Sequence, residues 1–522
     1  MRRLRPVAGA RALGLLLLLA VCAAGNVVGQ CPDGTPPPCG ALAPRGVAGP
    51  PPTSLAVLYF ETRDTTDAYL ADGLTEEITT SLGAVARLQI KSPSAVRRVQ
   101  RANPGDLRAI GRGLRVFWLV EGTIRRAGGQ LRVSVRLVNA SNENSTWSTA
   151  FSRPVSDVLT IEQDIARDVA SNVAGVLTTA ERTGLASRPT GNPEAHDRYL
   201  RGNYYLARRS PRDVARAIRE YEAAARADPA FAHAYARIAL AWALYLDWGW
   251  SDPFLTRDSM LALGFHAADR ALALDSNDAE GWMSRGYLLT FRYPRTYQGV
   301  IPAFERALAL APRNAEVLHQ YASVLIQLGD YDGAMRWAAR AVALEPDRPI
   351  SFYLMANATL REGRVAPAAG WADSALASDP QFYPAYSVRA RVRWHLGDRV
   401  GAKADAEAAR RSSPTGAEYW GECVQALIAT WSGDTAAARV YLAPALARLE
   451  GRAELADREG TNVAMALVAL GDRGRAYDVL ERIRPRGAQL WFWLRDPDFD
   501  PVRDDPRFQT LIREARPPEA AR

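Results

Sequence analysis

Past residue 194 the chain alternates between stretches in which apolar side chains recur every third or fourth position and short polar breaks. That is the pattern of helices with one buried face. The breaks are regular: Pro312, Pro346, Pro380 and Pro414 stand 34 residues apart, and Gly329, Gly363 and Gly397 recur at one point within each unit. Ala334, Ala368 and Ala402, then Ala341, Ala375 and Ala409, place small residues on the second helix of each unit, where two backbones can approach closely. A fixed period of this length marks helical hairpins stacked into a solenoid, and about eight hairpins fit between Glu194 and Pro485.

The first part of the chain reads differently. Residues 55–60 (LAVLYF) form an apolar run of strand length, 67–85 carries a helical period, 88–91 is a second strand, and 94–101 and 106–113 read as helices. Strands at 116–125 and 130–139 are joined around Ala127, Gly128 and Gly129, a hairpin signal. Leu131, Val133, Val135 and Leu137 alternate with Arg132, Ser134 and Arg136, which predicts one buried and one wet face. A strand at 144–151 and a helix at 160–177 complete the unit. The predicted fold class is therefore multidomain, a small mixed-sheet α/β domain at 54–180 followed by an all-α solenoid. A linker at 181–193 separates them, the repeats fill 194–485, and 486–522 reads as a capping segment with Trp491, Phe492 and Trp493 over the last apolar face.

The period, the glycines, the paired alanines and the closing prolines together resemble the tetratricopeptide repeat (TPR) family. Trp282 with Gly286, Tyr235 with Ala239 and Arg198 with Gly202 extend the pattern to less regular units. The resemblance implies a right-handed superhelix with a concave face for protein or peptide partners. LAVLYFE at 55–61, YLADGLTEEI at 69–78 and WLVEGTIRRAGGQLRVSVRLV at 118–138 resemble a TolB amino-terminal-like domain, related to the FlgO-like domain of bacterial envelope proteins. That likeness implies a partner-contacting module without a ligand of its own.

An arginine-rich start followed by a leucine-dense stretch at 13–20 and small residues through Gly25 reads as a secretory leader at 1–25. Extension through Val28 keeps a retained membrane anchor open as an alternative, and Cys22 keeps a lipid anchor open. Residues 26–53 read as a Pro/Gly-rich linker in which Cys31 and Cys39 bracket CPDGTPPPC, a pair suited to a local disulfide in an oxidising compartment. Two sulfurs alone do not complete a metal shell, and Cys423 reads as a small core residue. With the bacterial envelope proteins that the resemblance implies, these features make an exported location the expectation, periplasmic or tethered at the membrane.

Charge changes little. Of the net +8, four positive charges are Arg2, Arg3, Arg5 and Arg11 of the leader, leaving +4, and lysine occurs only at Lys91 and Lys403. The remaining arginines are dispersed among acids, so no basic footprint for nucleic acid stands out.

Catalytic machinery is equally absent from the local motifs. There is no phosphate loop, kinase signature, H-E-x-x-H pair or G-x-S-x-G elbow, and the five histidines are scattered. No cofactor or metal site is expected. Asp72, Glu76 and Glu77 cluster, but Asp72 or Thr75 capping a helix, with carboxylates near its start, accounts for them. Gly122, in a strand, suits close packing.

Binding is the expected function. By the family pattern the concave face would be lined by Tyr287 and Phe291, by Tyr353, Asn357 and Arg361, and by Arg391 and Trp394. Aromatic anchors with Arg361 and Arg391 suit an extended or acidic peptide. Trp248 and Trp250 either offer an exposed aromatic surface or plug a joint between hairpins. The expectation is an exported adaptor that is not an enzyme. A regulatory subunit of an envelope signalling system and a hydrolase with a dispersed site are the alternatives.

Overall fold

A computed structural model describes residues 49–186, 188–208, 210–248, 250, 254–292, 298–346, 348–414, 417–450, 457–483 and 488–516. The leader, Cys22 and the Cys31–Cys39 loop lie outside the described residues.

Alternation along the strands sorts the N-terminal sheet into two faces. Six strands, β1 (Ser54–Val57), β2 (Glu61–Thr62), β3 (Gln89–Ile90), β4 (Trp118–Ala127), β5 (Gln130–Asn139) and β6 (Ser145–Pro154), form one mixed sheet. Its order is β3-β1-β4-β5-β6, with β2 also beside β4. β1 runs parallel to β3 and β4, while β4, β5 and β6 form an antiparallel meander. Leu55, Val57, Val120, Ile124 and the predicted series Leu131 to Leu137 face one core. Helices α1 (Ala68–Leu82) and α4 (Val158–Ala174) cover that side. Ala56, Leu58 and Leu119 face a second, smaller core under α2 (Pro93–Ala102) and α3 (Leu107–Leu114). Gly122 lets Phe60 pass: a Cβ there would stand 2.6 Å from the ring.

Thr75 and Asp72 lie inside α1 and cap nothing, contrary to the expectation. Thr75 instead accepts the Phe60 backbone N–H at 3.1 Å and donates to the Ala71 carbonyl. Asp72 and Glu76 pair with Arg97 of α2 at 2.9 and 3.5 Å, tying two helices together.

The stretch 181–193, expected as a linker, is partly helical. Helix α5 (Thr179–Ala186) begins before it, and the array starts with α6 (Pro193–Leu206) and α7 (Pro211–Ala227). The array continues as α8 (Ala232–Asp247), α9 (Arg257–Leu274), α10 (Ala279–Leu289), α11 (Val300–Leu310), α12 (Ala315–Leu328) and α13 (Tyr331–Leu344). Next come α14 (Pro349–Arg361), α15 (Val365–Ser378), α16 (Tyr383–His395), α17 (Arg399–Ser412), α18 (Tyr419–Trp431) and α19 (Thr435–Leu449). α20 (Asp457–Ala469), α21 (Arg473–Glu481), α22 (Ala488–Leu494) and α23 (Pro506–Ala515) complete the chain.

Inside the hairpins the glycines do what their spacing predicts. Gly329, Gly363 and Gly397 take φ of 82°, 75° and 88°, and Gly433 and Gly471 repeat the turn farther on. A side chain there would be strained, so the first helix stops. Asp330, Asp398, Asp434 and Asp472 then accept a backbone N–H at the start of the second helix.

The two parts share one core. α6 packs across α1, with Leu200 against Gly73, where a Cβ would stand 2.9 Å from a leucine methyl. The Tyr69 hydroxyl donates to Asp197 at 2.6 Å, Arg201 donates to the same hydroxyl at 2.8 Å, and buried His196 sits 3.0 Å from Glu162 of α4. One hydrophobic cluster runs from Leu55 through the array to Ala515.

Candidate functional site

Spacing of four residues puts Tyr353, Asn357 and Arg361 on one face of α14, and α16 carries Arg391 beside them. Asn357 donates to the Tyr353 carbonyl at 3.0 Å and accepts from Arg361 at 3.1 Å, which holds the Arg361 guanidinium in place. Tyr287 and Phe291 pack on each other at 5.6 Å. The expected groove residues Tyr287, Phe291, Tyr353, Asn357, Arg361 and Arg391 are all buried. Trp394 is set apart: it packs against Trp431 at 5.9 Å and under Arg399 at 3.8 Å, beside a separate small core.

What buries the concave face is the end of the same chain. After α22, Asp496 caps the turn Pro497–Val502 by accepting the Asp498 N–H at 3.1 Å. Its carboxylate lies between two guanidinium groups: Arg361 Nη2 is 3.1 Å from one oxygen, and Arg391 donates to the other. Arg391 Nε lies 2.7 Å from Asp498. The Arg361 plane covers Phe492 at 4.0 Å and Trp493 at 5.1 Å. The side chains of Arg361 and Asp496 are both 0% exposed. Burial alone would raise the Asp496 pKa, but Arg391 and Arg361 outweigh it and hold the carboxyl below its usual range. Burial lowers Arg361, opposed by Asp496.

Two corrections follow. The groove expected to stand open for partners is filled in cis around Arg361 and Arg391; among the described residues, two cavities beside Tyr353 are about 40 and 20 Å³, room for a water molecule and not for a peptide. The C-terminal segment does more than cap the last hairpin. α23 packs on α21 and α22, whereas α22 reaches inward onto α12 and α20, where its aromatic run is buried and the acids that follow it, Asp496 and Asp498, meet Arg361 and Arg391.

Arg458 of α20 went unnoticed in the sequence. It pairs with Asp247 at 3.1 Å and lies over Trp248, Trp420 and Trp493, so it joins an early hairpin, a late one and the tail. Trp250 is buried and stacks on Trp248 at 5.7 Å, lining this interior and offering no exposed aromatic surface. Asp496 and Asp498 are a further pair that sequence reasoning does not reach: the acids of DPDFDP directly follow an aromatic run, but their arginines lie more than a hundred residues away in the chain. Cys423 is fully buried, and burial pushes its thiol up, away from reactivity. Among the described residues, no group of three or more His, Cys, Asp or Glu side chains is placed to hold a metal ion.

Residues 295–358 match the tetratricopeptide repeat model. Over these residues the chain is similar to the tetratricopeptide repeat family. A protein of Rhizobium meliloti (strain 1021), provisionally named adenylate cyclase 3, is 27% identical over 204 residues, 38% of this chain and 35% of that relative. The chain thus aligns with about a third of the relative's length. Among solved structures, PilF of Pseudomonas aeruginosa is 18% identical, covering 43% of this chain and 94% of its own, with a TM-score of 0.34. A tetratricopeptide repeat protein of Parabacteroides merdae is 16% identical, covering 53% of this chain and 99% of its own, with a TM-score of 0.36.

Proposed function

We propose that this chain is a non-catalytic protein-interaction scaffold of the bacterial envelope, in which a TolB-like α/β domain and a repeat array act as one body. The observation that carries this reading is the concave face itself: Arg361 and Arg391 grip Asp496 with Phe492 and Trp493 beside them, a set of contacts that suits an acidic, aromatic peptide segment. Here the peptide is supplied in cis, so the array is rigid and partners meet its outer surface or the α/β domain. Export rests on the leader at 1–25, and the leader also supplies the tether if it is retained.

Photo-crosslinking in cells tests this. A crosslinker at Val400 or Val440, exposed at 82% and 70%, is expected to capture a protein that then forms a stoichiometric complex with the purified full chain. A crosslinker at Tyr353 is expected to capture only the chain's own tail. Partner crosslinks at Tyr353, or none at any outer position, would defeat the reading. Fractionation with N-terminal sequencing tests export separately.

A second reading, a regulatory module of a signalling system, draws on the name of the Rhizobium meliloti relative. It expects the captured partner to be a signalling enzyme whose rate changes on complex formation.

A further inference from the structure

Away from the concave face, a cleft of about 360 Å³ opens where the α/β domain meets the first hairpin. Thr65, Thr66 and Tyr69 line one side, and Arg201, Arg208 and Arg216 line the other with two tyrosines. Among the described residues the lining has three guanidinium groups and no carboxylate. Each guanidinium lies over a ring: Arg201 over Tyr69 at 4.1 Å, Arg208 over Tyr204 at 4.3 Å and Arg216 over Tyr205 at 5.6 Å. Such stacking sets the planes of the forks before any ligand arrives, which lowers the ordering cost of binding.

The neighbouring acids leave donors to spare. Arg201 gives Nε to Asp197 and Nη2 to the Tyr69 hydroxyl. Arg216 stands 3.8 Å from Asp213. Arg208 donates to the Tyr204 hydroxyl and, among the described residues, meets no carboxylate. On the opposite wall Asp64 is engaged by the Thr66 N–H and hydroxyl, and Asp67 by Arg126 at 3.6 Å.

Guanidinium forks with donors to spare match the geometry of a phosphate, and flat half-buried rings beside them match a nucleobase. The volume lies within the range of small-molecule sites, which favour domain boundaries. We propose that this junction cleft binds a nucleoside phosphate, with the phosphate at Arg208 and Arg216 and the base against Tyr204 and Tyr205. The ligand would bridge the α/β domain and the array.

Isothermal calorimetry on the purified full chain tests it, with AMP, ribose 5-phosphate and inorganic phosphate as probes. The expected result is saturable AMP binding about tenfold or more tighter than either other probe, weakened about tenfold or more in Arg208→Glu and in Arg216→Glu. Both side chains reach solvent, so the unliganded variants should melt with the parent. Phosphate binding as tightly as AMP, AMP affinity unchanged in both variants, or no saturable binding of any probe would overturn the proposal.

Discussion

Asp496→Asn is the sharpest perturbation of this architecture. The substitution keeps the size of the side chain and removes the one charge that two buried guanidinium groups share. Arg391 retains Asp498 at 2.7 Å, while the buried Arg361 retains Asn357 and two aromatic rings but no carboxylate within ion-pair distance among the described residues. Removing one partner of a buried pair costs about 3–5 kcal/mol, because the surviving charge stays desolvated. If the array melts as one unit of roughly 300 residues, its unfolding entropy is about 0.6–0.7 kcal/mol per degree, and the Tm should fall by about 4–8 °C. Tryptophan fluorescence is the natural assay, since Trp493 sits beside the network. Proteolysis of the native chain should cut first within 488–516. Adding Arg361→Met should restore part of the loss, as the orphaned charge is then gone, with a coupling of about 1–3 kcal/mol. A fall of under about 1 °C, the level of an exposed pair, would refute the claim that the tail closes the concave face.

The junction between domain and array should respond to pH. Burial and the Glu162 carboxylate raise Glu77 from its ordinary 4.5 to about 6, so between those values the folded state holds a proton that the unfolded chain releases, and stability falls as pH rises. His196 and His233 are raised despite burial, by Glu162 and by Asp278 respectively; their contribution is present below about 6.5 and lost as pH climbs through the folded values. All three act in the same direction, so protection factors of amides in α1 and α6, corrected for the pH dependence of intrinsic exchange, should be larger at pH 5.5 than at pH 8, and the opposite order would count against this electrostatic picture. Gly363→Ala should cost about 1–2 kcal/mol in chemical denaturation from φ alone, since open space surrounds its Cβ position. Gly202→Ala, whose Cβ would lie 2.3 Å from Tyr221, should cost about 1–3 kcal/mol by overpacking. Alkylation of the denatured, unreduced mature chain should label Cys423 while sparing Cys31 and Cys39; labelling of all three would exclude the proposed disulfide.

Local rules made much of this chain legible. Helix ends were written in Gly329, Gly363 and Gly397, because only glycine enters that backbone region at little cost, and the faces of β5 in the alternation from Leu131 to Leu137. The aromatic and arginine positions on the inner helices were legible as well, since an i, i+4 stripe needs no partner to be recognised. The fate of that stripe was not. Whether Arg361 and Arg391 meet a partner or the chain's own Asp496 depends on contacts separated by more than a hundred residues, and no local propensity encodes them.

The sequence by itself determined most of the elements, their period and the inward faces, since each follows from side-chain chemistry within a few residues of the chain. Only the tertiary structure decided that the α/β domain and array share one core, that Arg458 joins Asp247 across the interior, and that the groove is filled from within. Those outcomes depend on curvature: small rotations between successive hairpins accumulate until distant arginines and acids face each other in a buried space. At that distance burial makes pairing compulsory, and the tail satisfies it.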